Sequence, residues 1–207
     1  MAAVSPVRVE RPLAAEEAAR GDFYALLARL FSHAPDGALL ASLAAAPALP
    51  AGARPDLARA WRDLTAASGA MDARAAEDEY DALFGGVGKA AVSIYAGAYS
   101  GAAAVEHRRV RIQEDLAAAG LAHRASTEPE DHFAALFDAM RVLSAGASGR
   151  GPAPLADQRR FFDSHVKPTA PRFFAVLATD ARSNFYRRVA ALGEAFVGLE
   201  SDSFSLD

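Results

Sequence analysis

The chain has 207 residues, no cysteine and a formal charge of −4. That length fits one domain, large enough to bury roughly 70% of the surface its unfolded chain exposes, and the missing cysteines exclude disulfides, thiolate metal sites and a cysteine nucleophile. A mildly acidic chain is a poor fit for a nucleic-acid binder, which carries a basic footprint, and no apolar run approaches the roughly 20 residues that span a bilayer.

The opening Met1-Ala2-Ala3-Val4-Ser5-Pro6 lacks the apolar centre of a signal peptide. Residues 1–12 are expected to be a flexible arm, and the protein to be neither exported nor inserted. Alanine and leucine dominate the rest of the chain, and no alternating strand of useful length is found, so the expected fold is all-α. A first helix is predicted over Leu13 to Phe31, on the spacing of Phe23, Leu26, Leu27, Leu30 and Phe31. Ala34-Pro35-Asp36-Gly37 breaks it. Further helices are predicted near Ala38 to Ala45, from Asp56 to Ala67, with Leu57, Trp61 and Leu64 on one face, and from Asp72 to Phe84. Gly85-Gly86-Val87-Gly88 then opens a loop that carries Ser93, Ile94, Tyr95 and Tyr99 before helix resumes over Ala102 to Ala119.

The segment Ser126-Thr127-Glu128-Pro129-Glu130-Asp131-His132 reads as a helix start. Thr127 and Glu130 have the spacing of a capping box, and proline and acids suit a first turn. That helix is predicted to run to Ser144. A glycine- and proline-rich break at 145–154 is a possible hinge. Helices are then predicted over Leu155 to His165, Pro171 to Ala178 and Arg182 to Leu199, the last with Phe185, Val189, Leu192, Phe196 and Leu199 in a stripe. Residues 13–199 are therefore read as one helical bundle of about eight to ten helices, and 200–207 as a flexible tail.

Enzyme motifs fail. Gly85-Gly86-Val87-Gly88-Lys89 has Leu83 where a phosphate loop needs its first glycine and Ala90 where it needs Ser or Thr. The five histidines His33, His107, His123, His132 and His165 form no recognisable ligand spacing. No catalytic residue, metal ligand or cofactor is expected. Two segments stand out instead. Glu77-Asp78-Glu79-Tyr80-Asp81-Ala82-Leu83-Phe84 is either a solvated acidic face over inward aromatics or an attractor for a basic peptide at the adjoining loop. In the second, capping explains Thr127 to Glu130 but not Asp131 and His132. These two either finish the helix start or offer hydrogen bonds to a bound peptide, with an imidazole able to titrate near neutrality.

Together these segments resemble the TorD/DmsD family of redox-enzyme maturation chaperones, related to the NarJ group. Glu79-Tyr80-Asp81-Ala82-Leu83-Phe84 with Tyr95 and Tyr99 is similar to the family's Tyr-x-x-Leu-Phe helix and loop. Glu128-Pro129-Glu130-Asp131-His132 is similar to its Glu-Pro-x-Asp-His signature. Phe23-Tyr24-Ala25-Leu26-Leu27 and Asn184-Phe185-Tyr186 also agree. Tyr95 departs from a tryptophan common in relatives, and His165-Val166-Lys167-Pro168-Thr169 lacks the tryptophan often found after the proline.

The resemblance implies a non-enzymatic cytoplasmic chaperone. It would bind the twin-arginine leader or the body of an apo-molybdoenzyme, such as a formate dehydrogenase or an S/N-oxide reductase, and delay export until the molybdenum cofactor is inserted. Carried over by position, Tyr80, Leu83, Phe84, Tyr95 and Tyr99 give the apolar side of a peptide site, and Glu128, Pro129, Asp131 and His132 its polar side. The implied partner is a polypeptide, not nucleic acid or membrane, and the chaperone is a monomer or a domain-swapped dimer. A helical metal-dependent enzyme and a helical adaptor without leader recognition are the competing readings.

Overall fold

The computed structural model describes residues 15–85, 90–100, 105–121, 129–147 and 149–206, with 105–107 described by backbone only. Among these residues the fold is all-α, without a strand. The helices are α1 (Ala15–Ser32), α2 (Gly37–Ala44), α3 (Pro55–Ala70), α4 (Ala73–Phe84), α5 (Val105–Ala118), α6 (Phe133–Ala145), α7 (Leu155–Phe161), α8 (Ala170–Thr179) and α9 (Phe185–Leu206). A 3₁₀ turn covers Ala96–Tyr99. After α7 the chain widens into a π turn, Phe162–Val166, closed by Lys167 N–H donating to the Phe162 carbonyl at 3.0 Å.

Local chemistry explains three of the helix starts. Asp36 caps α2 by accepting from Leu39 N–H at 2.8 Å, and Asp72 caps α4 through Arg74 and Ala75 N–H. Pro55 stands at the first position of α3, where no N–H is needed.

The centre is aromatic. α1 packs on α6, and α9 packs on α3 and α8. Phe31 of α1 touches the rings of Phe84, Phe137, Phe173, Phe174 and Tyr186. Phe133 and Phe173 stack with centroids 4.2 Å apart, and Phe137 lies parallel to Phe174. Gly193 lets α9 approach closely, since a Cβ there would collide with the Phe174 ring.

Two expected boundaries are corrected. α6 does not begin near Glu128. It begins at Phe133, and His132 is the cap, its Nδ1 accepting from Ala134 N–H at 3.1 Å. Thr127 and Glu128 themselves lie outside the described residues. At the other end, α9 does not stop at Leu199 but continues to Leu206. The reason is a tertiary anchor. The Glu200 carboxylate is 1% exposed and accepts from Arg20 Nε at 2.7 Å, Arg20 Nη2 at 2.9 Å and the Tyr24 hydroxyl at 2.8 Å, all on α1. Phe204 is buried one turn further on, with the Arg20 guanidinium 5.1 Å above its ring. The expected arm 1–12 lies outside the described residues. Within the glycine-rich break, Ala147 and Arg150 exchange both backbone hydrogen bonds, at 3.0 and 2.8 Å, in a tight turn after α6.

Candidate functional site

The two singled-out segments meet. After α4 the chain turns back, with Val92 N–H donating to the Leu83 carbonyl at 2.9 Å. The loop then lies along the turn that precedes α6. Phe133 N–H donates to the Ile94 carbonyl at 3.0 Å, and Ala96 N–H donates to the Asp131 carbonyl at 2.8 Å. Tyr95 and His132 form an isolated antiparallel bridge, with their rings edge to face at 5.3 Å.

Asp131 is the node of this junction. Its side chain is 2% exposed. Oδ2 accepts from Gly97 N–H at 3.1 Å, and Oδ1 accepts from Arg109 Nε of α5 at 3.1 Å. A buried carboxylate needs such partners, because an uncompensated charge costs several kcal/mol, of order 3–5. Pro129 accepts from His132 N–H at 3.1 Å through its carbonyl, which closes the turn.

The named residues fall into two groups. Leu83 is wholly buried, and Asp131 and His132 are nearly so, each already bonded within the protein. All three lie on the buried side of the junction. Phe84, Tyr95, Tyr99 and Pro129 are half-buried and present part of their surface. Tyr80 is also half-buried, but its hydroxyl donates to the Phe31 carbonyl at 3.1 Å and its ring packs on Phe84 and Tyr186. The Tyr99 hydroxyl donates to the Ser93 carbonyl at 2.7 Å, and burial pushes its pKa up to about 12. Arg172, exposed on α8, reaches the Tyr99 carbonyl at 3.3 Å. Glu128 lies outside the described residues.

A family model described as nitrate reductase delta subunit matches residues 51–175, more than half of the chain. The chain belongs to this family. It is a family of molybdoenzyme maturation chaperones, related to the TorD/DmsD chaperones that the sequence resembles. No curated protein matches the chain.

The span shared with the delta-subunit family holds every candidate residue from Tyr80 to His132, and also α5, which the sequence predicts as a helix over Ala102 to Ala119 but to which it assigns no candidate site residue. Four contacts attach α5 to the junction and to the π turn. They are Arg109 to Asp131, Gln113 to Glu130, Asp115 to His165 at 2.6 Å, and Arg108 Nη1 to the His165 carbonyl at 3.4 Å. The spacing of Arg109, Gln113 and Ile112 on one helical side is the available signal. Glu79 is also missed as an individual. Its carboxylate accepts from the N–H groups of Asn184, Phe185 and Tyr186, at 2.7, 3.0 and 2.8 Å, and so caps α9 from α4. It fixes the floor on which Phe84 and Tyr186 meet.

Hollows of about 420 Å³ (Leu155, Arg159, Phe204) and about 560 Å³ (Asp63, Arg187, Arg188) are lined by other elements than the junction. Among the described residues, no group of three or more histidines, cysteines or acids is placed to hold a metal, and no helix is long and apolar enough to cross a membrane.

Proposed function

We propose that this delta-subunit family member is a cytoplasmic, non-enzymatic chaperone. It binds the twin-arginine leader and the apo-form of a molybdenum-cofactor-dependent oxidoreductase, assists cofactor insertion and delays export until maturation. The observation that carries this reading is the junction of the Tyr95–Tyr99 loop with the Asp131–His132 turn, made by the Ala96, Gly97 and Phe133 N–H bonds. It places half-buried aromatics beside a buried carboxylate. A leader offers the complement of each: an apolar stretch for Phe84, Tyr95 and Tyr99, and guanidinium groups for the carboxylate. The exposed acids Glu77, Asp78 and Asp81 on α4 add attraction for a basic peptide. Glu128 belongs to the same proposed polar side. The family's description makes a nitrate reductase the first client to try, with formate dehydrogenases and S/N-oxide reductases beside it.

The test is calorimetric titration with leader peptides from these client classes, each paired with a twin-lysine control. Lysine keeps the charge but loses the planar fork. Saturable binding that weakens in the control supports leader recognition. Equal binding of both peptides favours an adaptor that ignores the arginines, and no binding to any leader moves the contact to the body of the client.

A further inference from the structure

The chain contains three arginine pairs: Arg108-Arg109, Arg159-Arg160 and Arg187-Arg188. The second pair is spent on carboxylates of its own stretch of chain, Arg159 on Asp163 and Arg160 on Asp157. In the third, Arg188 bonds Asn184 and Arg187 bonds the Ala178 carbonyl. The first pair alone reaches the junction. Arg109 Nε donates to Asp131 Oδ1, and Arg108 points to the His165 carbonyl.

The way this pair is held differs from a finished structural ion pair. Asp131 is 2% exposed, but Arg109 is 49% exposed and engages the carboxylate through Nε. Arg108 Nε is buried without a hydrogen-bond partner among the described residues. Burial also holds the pKa of the Arg108 guanidinium below its ordinary value, with the Asp131 charge opposing this. Three residues after Arg109 comes Ile112, fully buried. An arginine pair followed by a buried apolar residue is the composition that a twin-arginine leader brings.

We propose that Arg108-Arg109 of α5 is an intramolecular stand-in for the leader's arginine pair, and that a bound leader displaces Arg109 from Asp131. The inference rests on the leader reading above and adds how the site is regulated. A buried carboxylate cannot stand unpaired between clients, so the fold supplies its own cation. Because Arg109 is half in solvent and held at a single nitrogen, exchanging it for an incoming guanidinium leaves Asp131 neutralised throughout. Self-occupancy lowers the apparent affinity by the fraction of molecules in which the carboxylate is available. It also sharpens discrimination, since an incoming arginine can add a second bond that Arg109 does not make, whereas a lysine offers only a point charge.

The test compares the full-length wild type with R109Q and R109K. Each is titrated with a fluorescent synthetic twin-arginine leader of a nitrate reductase and with its twin-lysine counterpart, and thermal melts run alongside. R109Q is expected to bind the leader more tightly, by about fivefold or more, and to discriminate less between the two peptides. R109K, which keeps the charge and so guards against a folding defect, is expected to fall between. A wild type that prefers arginine to lysine, with R109K and R109Q binding no more tightly, overturns this inference and leaves the leader reading standing. If neither the wild type nor any variant binds a leader, the two fall together.

Discussion

α5 and α6 meet at the same turn and are held by opposite means. α6 buries Phe133, Ala134, Leu136, Phe137, Ala139, Met140, Leu143 and Ser144. Among the described side chains of α5, Ile112 alone is fully buried, Leu116 packs partly buried against the core, and the other contacts described are ionic or polar. Apolar burial contributes about 25 cal/mol per Å² and does not exchange partners readily. An ion pair with one partner in solvent can exchange that partner for another cation, provided its buried carboxylate is not left unpaired. The contrast separates where this bundle keeps its rigidity from where it keeps its exchangeable contacts. The carboxylate of Asp131 lies on the border between the two.

The largest expected effect sharpens the rigid half. Phe137 touches Tyr24, Phe31, Phe133 and Phe174 from four directions. Phe137→Ala should cost about 3–5 kcal/mol in a urea titration. A loss below about 1 kcal/mol would break the claim that α6 anchors the bundle. Next comes the seam between α4 and α9, where one carboxylate serves three N–H groups. Glu79→Ala should cost about 1–2 kcal/mol by the same measurement, as a lost helix cap does. An unchanged midpoint would show that water replaces Glu79 there without cost.

Much of this division is legible in the sequence, and the failures have physical causes. The core faces of α1, α3 and α9 follow from helical spacing because the packing there is apolar and periodic. The start of α6 escapes the sequence because a histidine serves as its cap, while the better capping candidate, Asp131, is drawn away by Gly97 N–H and Arg109. The end of α9 escapes it because Glu200 is stabilised by Arg20 and Tyr24, far away along the chain. Of the candidate site, the residue names are readable but their depth is not. Leu83, Asp131 and His132 are read as contact residues, and the structure buries all three. The role of α5 is hidden because its partners on the turn and on the π segment meet it only in three dimensions.

Amide hydrogen exchange puts the comparison itself to the test. α5 should exchange through local opening, at lower protection than α6, because separating polar pairs in water costs less than exposing aromatics. Exchange of both helices at one common protection level would mean that α5 belongs to the rigid unit, and would remove the basis for exchangeable contacts.

The smallest effect concerns the contact that ties α5 to the π turn. His165 is 2% exposed, with Nε2 2.6 Å from Asp115 and Nδ1 buried without a partner among the described residues. Burial holds its imidazole pKa below the ordinary value of 6.5, with the hydrogen bond to Asp115 pulling the other way. The unfolded chain therefore takes up a proton at a higher pH than the folded chain does. Stability is fully present above the unfolded value and declines as pH falls from there to the folded value. His33 is also held low, by burial and by Arg29, so the wild type alone does not isolate His165. His165→Gln removes the titration while keeping a donor for Asp115, and shares His33 with the wild type. Across urea titrations from about pH 7.5 to about pH 5.5, the wild-type midpoint should fall more than that of H165Q. Parallel curves would mean that Asp115 compensates the burial in full, and that the α5 tether is indifferent to acid.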